Sequence, residues 1–60
     1  MIPNDPFILL SFINTKLRDF YKDLSHFCEM EDADITEIKE KLSAIGYVYD
    51  SEKNQFIIGR

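Results

Sequence analysis

The spacing of the apolar residues changes at Gly46, and that change constrains the fold more than any other feature of the chain. Before Gly46, apolar residues recur every three or four positions; after it they come in short β-branched and aromatic runs, Tyr47-Val48-Tyr49 and Phe56-Ile57-Ile58. The first spacing is that of amphipathic helices and the second that of half-buried strands. Gly46 itself supplies a left-handed helix stop. A helical body followed by a β-hairpin is therefore expected.

The helical body divides into three. Asn4-Asp5-Pro6 reads as a helix start, with a side chain that can accept from a first-turn N–H and a proline where a missing N–H costs little. No Gly or Pro follows until well past Lys22, so helix one is expected over about 5–22. Its main stripe is Leu10, Ile13, Leu17, Phe20 and Leu24, and a second apolar row, Phe7 or Ile8 with Phe12, lies off that stripe. Asp23 can cap a short helix two over 24–30, with Leu24, Phe27 and Cys28 on one face. Asp34-Ile35-Thr36-Glu37 resembles a capping box, and Ile35, Ile38, Leu42 and Ile45 carry helix three over 35–45. The polar string Asp50 to Asn54 separates strands at 47–49 and 56–58, and Asn54 tolerates the positive φ that such loops require.

The expected architecture is a small, mainly helical α+β domain spanning 1–60. Its three helices are expected in a helix-turn-helix-like arrangement, with the hairpin placed where a winged helix carries its wing. A chain of 60 residues has little margin between burial and conformational entropy, and small folds often recover it with disulfides, metals or partners. A single cysteine, Cys28, excludes an internal disulfide. An unpaired thiol suits a reducing compartment. Met1 to Pro6 contains no Lys or Arg, unlike a signal peptide, so a cytoplasmic location is expected. No apolar run approaches the roughly 18 residues of a membrane span.

Catalytic chemistry finds few candidates. His26 and Cys28 are two residues apart on a helix, so their side chains diverge by roughly 200° and cannot act as a base and nucleophile pair. The acidic run Glu29, Glu31, Asp32, Asp34 invites a calcium reading. Counted from Asp32, however, the sixth residue of a calcium loop would be Glu37 instead of Gly, and the twelfth Ser43 instead of Glu. No catalytic residue, cofactor or metal ligand is assigned.

Nucleic acid is the partner that a helix-turn-helix outline suggests, and charge argues against it. The net charge is −4, whereas duplex affinity rests largely on Lys and Arg against phosphates. The outward residues of helix three, Thr36, Glu37, Lys39, Glu40, Lys41 and Ser43, are balanced in sign. The basic group Lys16, Arg18 and Lys22 sits on helix one. The apolar surplus of helix one points elsewhere: Phe7, Ile8 and Phe12 either pack beneath the hairpin or form an exposed patch of the kind that marks a partner site.

Three stretches resemble a family of short bacterial proteins catalogued as a domain of unknown function. They are Ile2-Pro3-Asn4-Asp5-Pro6, then Leu10-Ser11 with Asn14-Thr15-Lys16-Leu17-Arg18-Asp19, then Gly46-Tyr47, Tyr49-Asp50 and Asn54-Gln55-Phe56. The resemblance spans nearly the whole chain and implies a free-standing bacterial protein of this size. It brings no activity, substrate or site residue. Within the second stretch, Asn14–Arg18 and Thr15–Asp19 stand at the four-residue spacing of helix neighbours, a polar strip beside the apolar row. The function expected from these residues is a non-enzymatic protein-interaction module with candidate surface Phe7, Ile8, Phe12 and Arg18, for which a homodimer through helix one is one option. A small winged-helix-like DNA binder is the alternative.

Overall fold

The computed structural model describes residues 2–59; Met1 and Arg60 of the expected 1–60 domain lie outside the described residues. Each helix begins at an aspartate. Asp5 Oδ1 accepts from the N–H groups of Phe7 and Ile8 at 2.9 and 3.2 Å and starts α1 (Pro6–Asp19), with Pro6 in the first turn. Asp23 accepts from His26 N–H at 2.7 Å and starts α2 (Leu24–Glu31). Asp34 accepts from Thr36 and Glu37 and starts α3 (Ile35–Ser43). Such caps satisfy orphan amides of the first turn and stabilise by about 1 kcal/mol each.

Helix ends were harder to read from sequence. Helix one, expected to about residue 22, stops at Asp19: Phe20 leaves the helical region at φ −129°, and the N–H groups of Phe20 and Tyr21 both close on the Lys16 carbonyl. The chain must extend there because the cap residue Asp23 has φ −161°. Helix two runs to Glu31, and Asp32 ends it in the left-handed region at φ 56°. Helix three ends at Ser43 instead of 45, since Ile45 and Gly46 make tight three-residue bonds to Leu42 and Ser43.

The early end of α1 corrects its expected stripe. The core is Leu9, Ile13 and Leu17 from α1, Leu24, Phe27 and Cys28 from α2, Ile38 and Leu42 from α3, and Phe56 from the hairpin. Leu9 takes the place expected for Leu10, which is half-buried, because the buried row follows four-residue steps from Leu9 to Leu17. Phe20, outside the helix, is 67% exposed.

After Gly46 (φ 87°) come β1 (Tyr47–Asp50) and β2 (Gln55–Ile58), one residue longer at the loop side than expected. They pair antiparallel, Tyr47 with Ile58, Val48 with Ile57, Tyr49 with Phe56 and Asp50 with Gln55. Asp50 Oδ1 accepts from Glu52 and Lys53 N–H groups to fold the loop, and Asn54 takes the positive φ (53°) that the sequence suggested. Tyr47, Tyr49 and Phe56 share the face that meets the helices.

Gly46 isolates a backbone effect from a steric one, because a methyl group there would meet nothing within 4 Å. Replacing Gly46 by Ala is expected to destabilise by about 1–2 kcal/mol, the cost of a left-handed conformation for an L-residue. Urea unfolding of the two proteins measures it.

Candidate interaction surface

Two side-chain amides decide which parts of α1 remain free. Asn14 Nδ2 donates to the Phe56 carbonyl at 3.1 Å, and Asn14 Oδ1 accepts from the Phe56 N–H at 2.8 Å. The carboxamide thus pairs with β2 as a neighbouring strand's backbone would. Asn54 Nδ2 donates to the carbonyls of Leu17 and Tyr21 at 3.1 and 3.0 Å, at the frayed end of α1. Its Oδ1 accepts from the Tyr49 hydroxyl at 2.6 Å, and that hydroxyl accepts from Leu24 N–H at the start of α2.

This network corrects the polar strip expected on α1. Asn14 bonds Phe56, not Arg18, and Arg18 pairs in two bonds of 2.9 and 3.0 Å with its neighbour Asp19. Hydrogen bonding to Arg18 holds the Asp19 carboxyl below its ordinary value, and the same bond raises Arg18. Both are exposed, so the pair screens charge more than it stabilises. The sequence reading missed Tyr49 as a polar hub and Asn54 as more than a loop residue. Asn54-Gln55-Phe56 was conspicuous only as part of a resemblance.

The four candidate surface residues separate. Phe7 and Ile8 stand together at the first turn of α1, 64% and 59% exposed. Phe12 is half-buried, edge-on to Phe27 at a centroid distance of 6.3 Å. It belongs to the rim of the core. Arg18 lies at the other end of an open groove of about 440 Å³ that begins at Phe7 and is walled opposite by Tyr47 and Gln55. Ser11 and Thr15 line it between.

Several other polar and titratable groups make contacts within the fold. Glu31 accepts from the Tyr21 hydroxyl at 2.7 Å, a bond that raises the Tyr21 pKa. His26 lies edge-on to Tyr21 at 5.2 Å. Burial pushes the Cys28 thiol above its ordinary value; Asp34 adds to the rise and Lys39 opposes it. Lys16 Nζ sits 5.4 and 5.0 Å from the ring centroids of Phe12 and Phe20. Among the described residues no group of three or more His, Cys, Asp or Glu is placed to hold a metal ion. Among the described residues no helix is long and apolar enough to cross a membrane.

Residues 3–56 match the family model described as Domain of unknown function (DUF4250), and the chain belongs to that family. No curated protein and no solved structure matches it. The matched segment contains both Asn14 and Phe56, so the link between α1 and β2 lies wholly inside it.

Asn14→Ala is expected to cost about 2 kcal/mol, from two hydrogen bonds at about 1 kcal/mol each. Asn14→Asp keeps the acceptor for Phe56 N–H but turns a carboxylate oxygen toward the Phe56 carbonyl, so it should rescue little. Denaturant midpoints and amide exchange at Phe56 check both. A neutral, buried thiol reacts slowly. Alkylation of Cys28 at neutral pH should be about a hundredfold slower in the native protein than in denaturant, since reagent reaches it through opening of the core.

Proposed function

We propose that this member of the family is a non-enzymatic protein-interaction module of the bacterial cytoplasm, docking its partner on the first two turns of α1. The observation that carries the reading is the pair Phe7 and Ile8, adjacent, apolar and both more than half exposed on a helix that otherwise buries its apolar residues well. Apolar side chains clustered on a soluble surface mark partner sites. The groove from Phe7 to Arg18 adds polar contacts beside them, from Ser11 and Thr15. Its single unpaired cysteine suits a reducing compartment.

The size of the patch bears on the partner. With Phe12 drawn against Phe27, two apolar side chains remain, whereas a specific interface buries about 1,200 Å² or more in total. A second α1 alone offers too little, so we place a different protein on this face, one that covers α1 and the groove together.

DNA binding through the helix-turn-helix-like order of α2 and α3 is the competing reading. The exposed residues of α3 include Glu37 and Glu40 against Lys39. On α1, Lys16 and Arg18 are two positions apart and point to different sides of the helix. Lys16 lies over two phenyl rings and Arg18 is matched by Asp19. We read the helix pair as scaffold.

The test compares the wild-type chain with the Phe7→Glu, Ile8→Glu double variant. A protein captured from source cells by the wild type should bind the variant at least about tenfold more weakly, a loss of about 1.4 kcal/mol, with an unchanged unfolding midpoint. Equal binding would overturn the reading. Affinity for a labelled random duplex that falls steeply with salt would promote the DNA alternative.

A further inference from the structure

The two edges of the hairpin are treated differently. Gly59 N–H donates to the Gly46 carbonyl at 2.8 Å. In an antiparallel ladder hydrogen-bonded and non-hydrogen-bonded pairs alternate. Val48 with Ile57 and Asp50 with Gln55 are therefore the bonded pairs, while Tyr47 with Ile58 and Tyr49 with Phe56 direct their backbone groups outward. On β2, Asn14 takes both outward groups of Phe56, which leaves only those of Ile58. On β1, the N–H and C=O of Tyr47 and Tyr49 have no hydrogen-bond partner among the described residues; Tyr49 bonds only through its hydroxyl. An open groove of about 340 Å³ runs beside this edge, lined by Lys39, Ser43 and the three residues Tyr47, Val48 and Tyr49.

We propose that a second copy of this chain pairs on the β1 edge across a two-fold axis at Val48, joining two hairpins into one four-stranded antiparallel sheet. The register follows from the pattern of free groups. A two-fold at Val48 sets Tyr47 opposite Tyr49 of the second copy, and each such pair exchanges two N–H to C=O bonds. Four bonds then satisfy all four free groups of each copy. A slip of one residue would set outward groups against inward ones, and a slip of two would leave groups unpaired at the ends. Val48, 46% exposed on the face away from the helices, meets its own copy at a non-hydrogen-bonded position, where side chains approach closely.

The groove beside β1 is lined by no carboxylate, so nothing in it repels the Asp50 that the pairing brings opposite Gly46. Natural sheets protect open edges with Pro, Lys or a bulge. Tyr-Val-Tyr has none of these, and a two-stranded sheet is marginal by itself. The proposal is independent of the docking reading for α1, and an edge-paired dimer would carry two α1 faces.

The chain is short enough for chemical synthesis, so an N-methyl group can be placed on the Tyr49 amide. That change removes an outward donor which has no partner within the chain. Sedimentation from low micromolar to millimolar concentration is expected to show the wild type passing from 7.1 kDa to twice that mass. The Tyr47 and Tyr49 amides should become slower to exchange over the same range. N-methyl-Tyr49 removes two bonds per dimer and should raise the dissociation constant at least about tenfold; Val48→Arg, which sets like charges face to face, should do the same. Phe7→Glu should leave the dimer intact. A chain monomeric at millimolar concentration would overturn the proposal, as would a dimer indifferent to N-methyl-Tyr49. Loss of the dimer in Phe7→Glu would place self-association on α1 instead, and so separates failure of this proposal from failure of the docking reading.

Discussion

One connected set of polar contacts holds the helices and the hairpin to a single arrangement. It runs from Leu24 N–H to the Tyr49 hydroxyl, on to Asn54 Oδ1, and from Asn54 Nδ2 to the carbonyls of Leu17 and Tyr21. Its members are the end of α1, the start of α2 and both sides of the hairpin loop. The Asn14 clamp on Phe56 fixes a second point along the same helix. The spacing matters. Burial of Phe56 alone would tolerate a sliding hairpin, since apolar contact has no direction. Two amides with defined donors and acceptors do not tolerate it, and a slip of one residue would turn Phe56 out of the core.

That dependence explains which parts of the structure could be read from the sequence. Helix starts were legible because Asp5, Asp23 and Asp34 act locally, on amides two or three residues ahead. The stop at Gly46 and the positive φ of Asn54 are local in the same sense. The end of α1 was not legible, because its last carbonyls are satisfied by Asn54, 37 and 33 residues away in sequence. A helical spacing that continues through Phe20 cannot report a hairpin residue that closes the helix before it. The same lack hid Leu9: the apolar residues around it permit a stripe through either Leu9 or Leu10, and only packing into the common core selects one.

The candidate surface was legible to a similar degree. The excess of apolar residues in the first half of α1 is visible in composition, and Phe7 and Ile8 are indeed outside. Phe12 is not, because its position is decided by the T-shaped contact with Phe27, on another helix. Arg18 reaches the surface but as half of a pair with Asp19, a neighbour contact that helical spacing does not favour.

Most polar side chains with a fixed place serve the geometry of the chain. Three aspartates cap helices, Asp50 folds the hairpin loop, Glu31 holds Tyr21, and two asparagines dock the hairpin. Among the described residues the groups left open include the apolar side chains of Phe7 and Ile8 on α1, four backbone groups on β1 and the outward pair of Ile58 on β2. Apolar area and strand edges are what proteins use to bind proteins. The division between them follows from Asn14, which occupies the β2 edge and thereby leaves β1 as the open side of the sheet, away from the helix whose first turns carry Phe7 and Ile8.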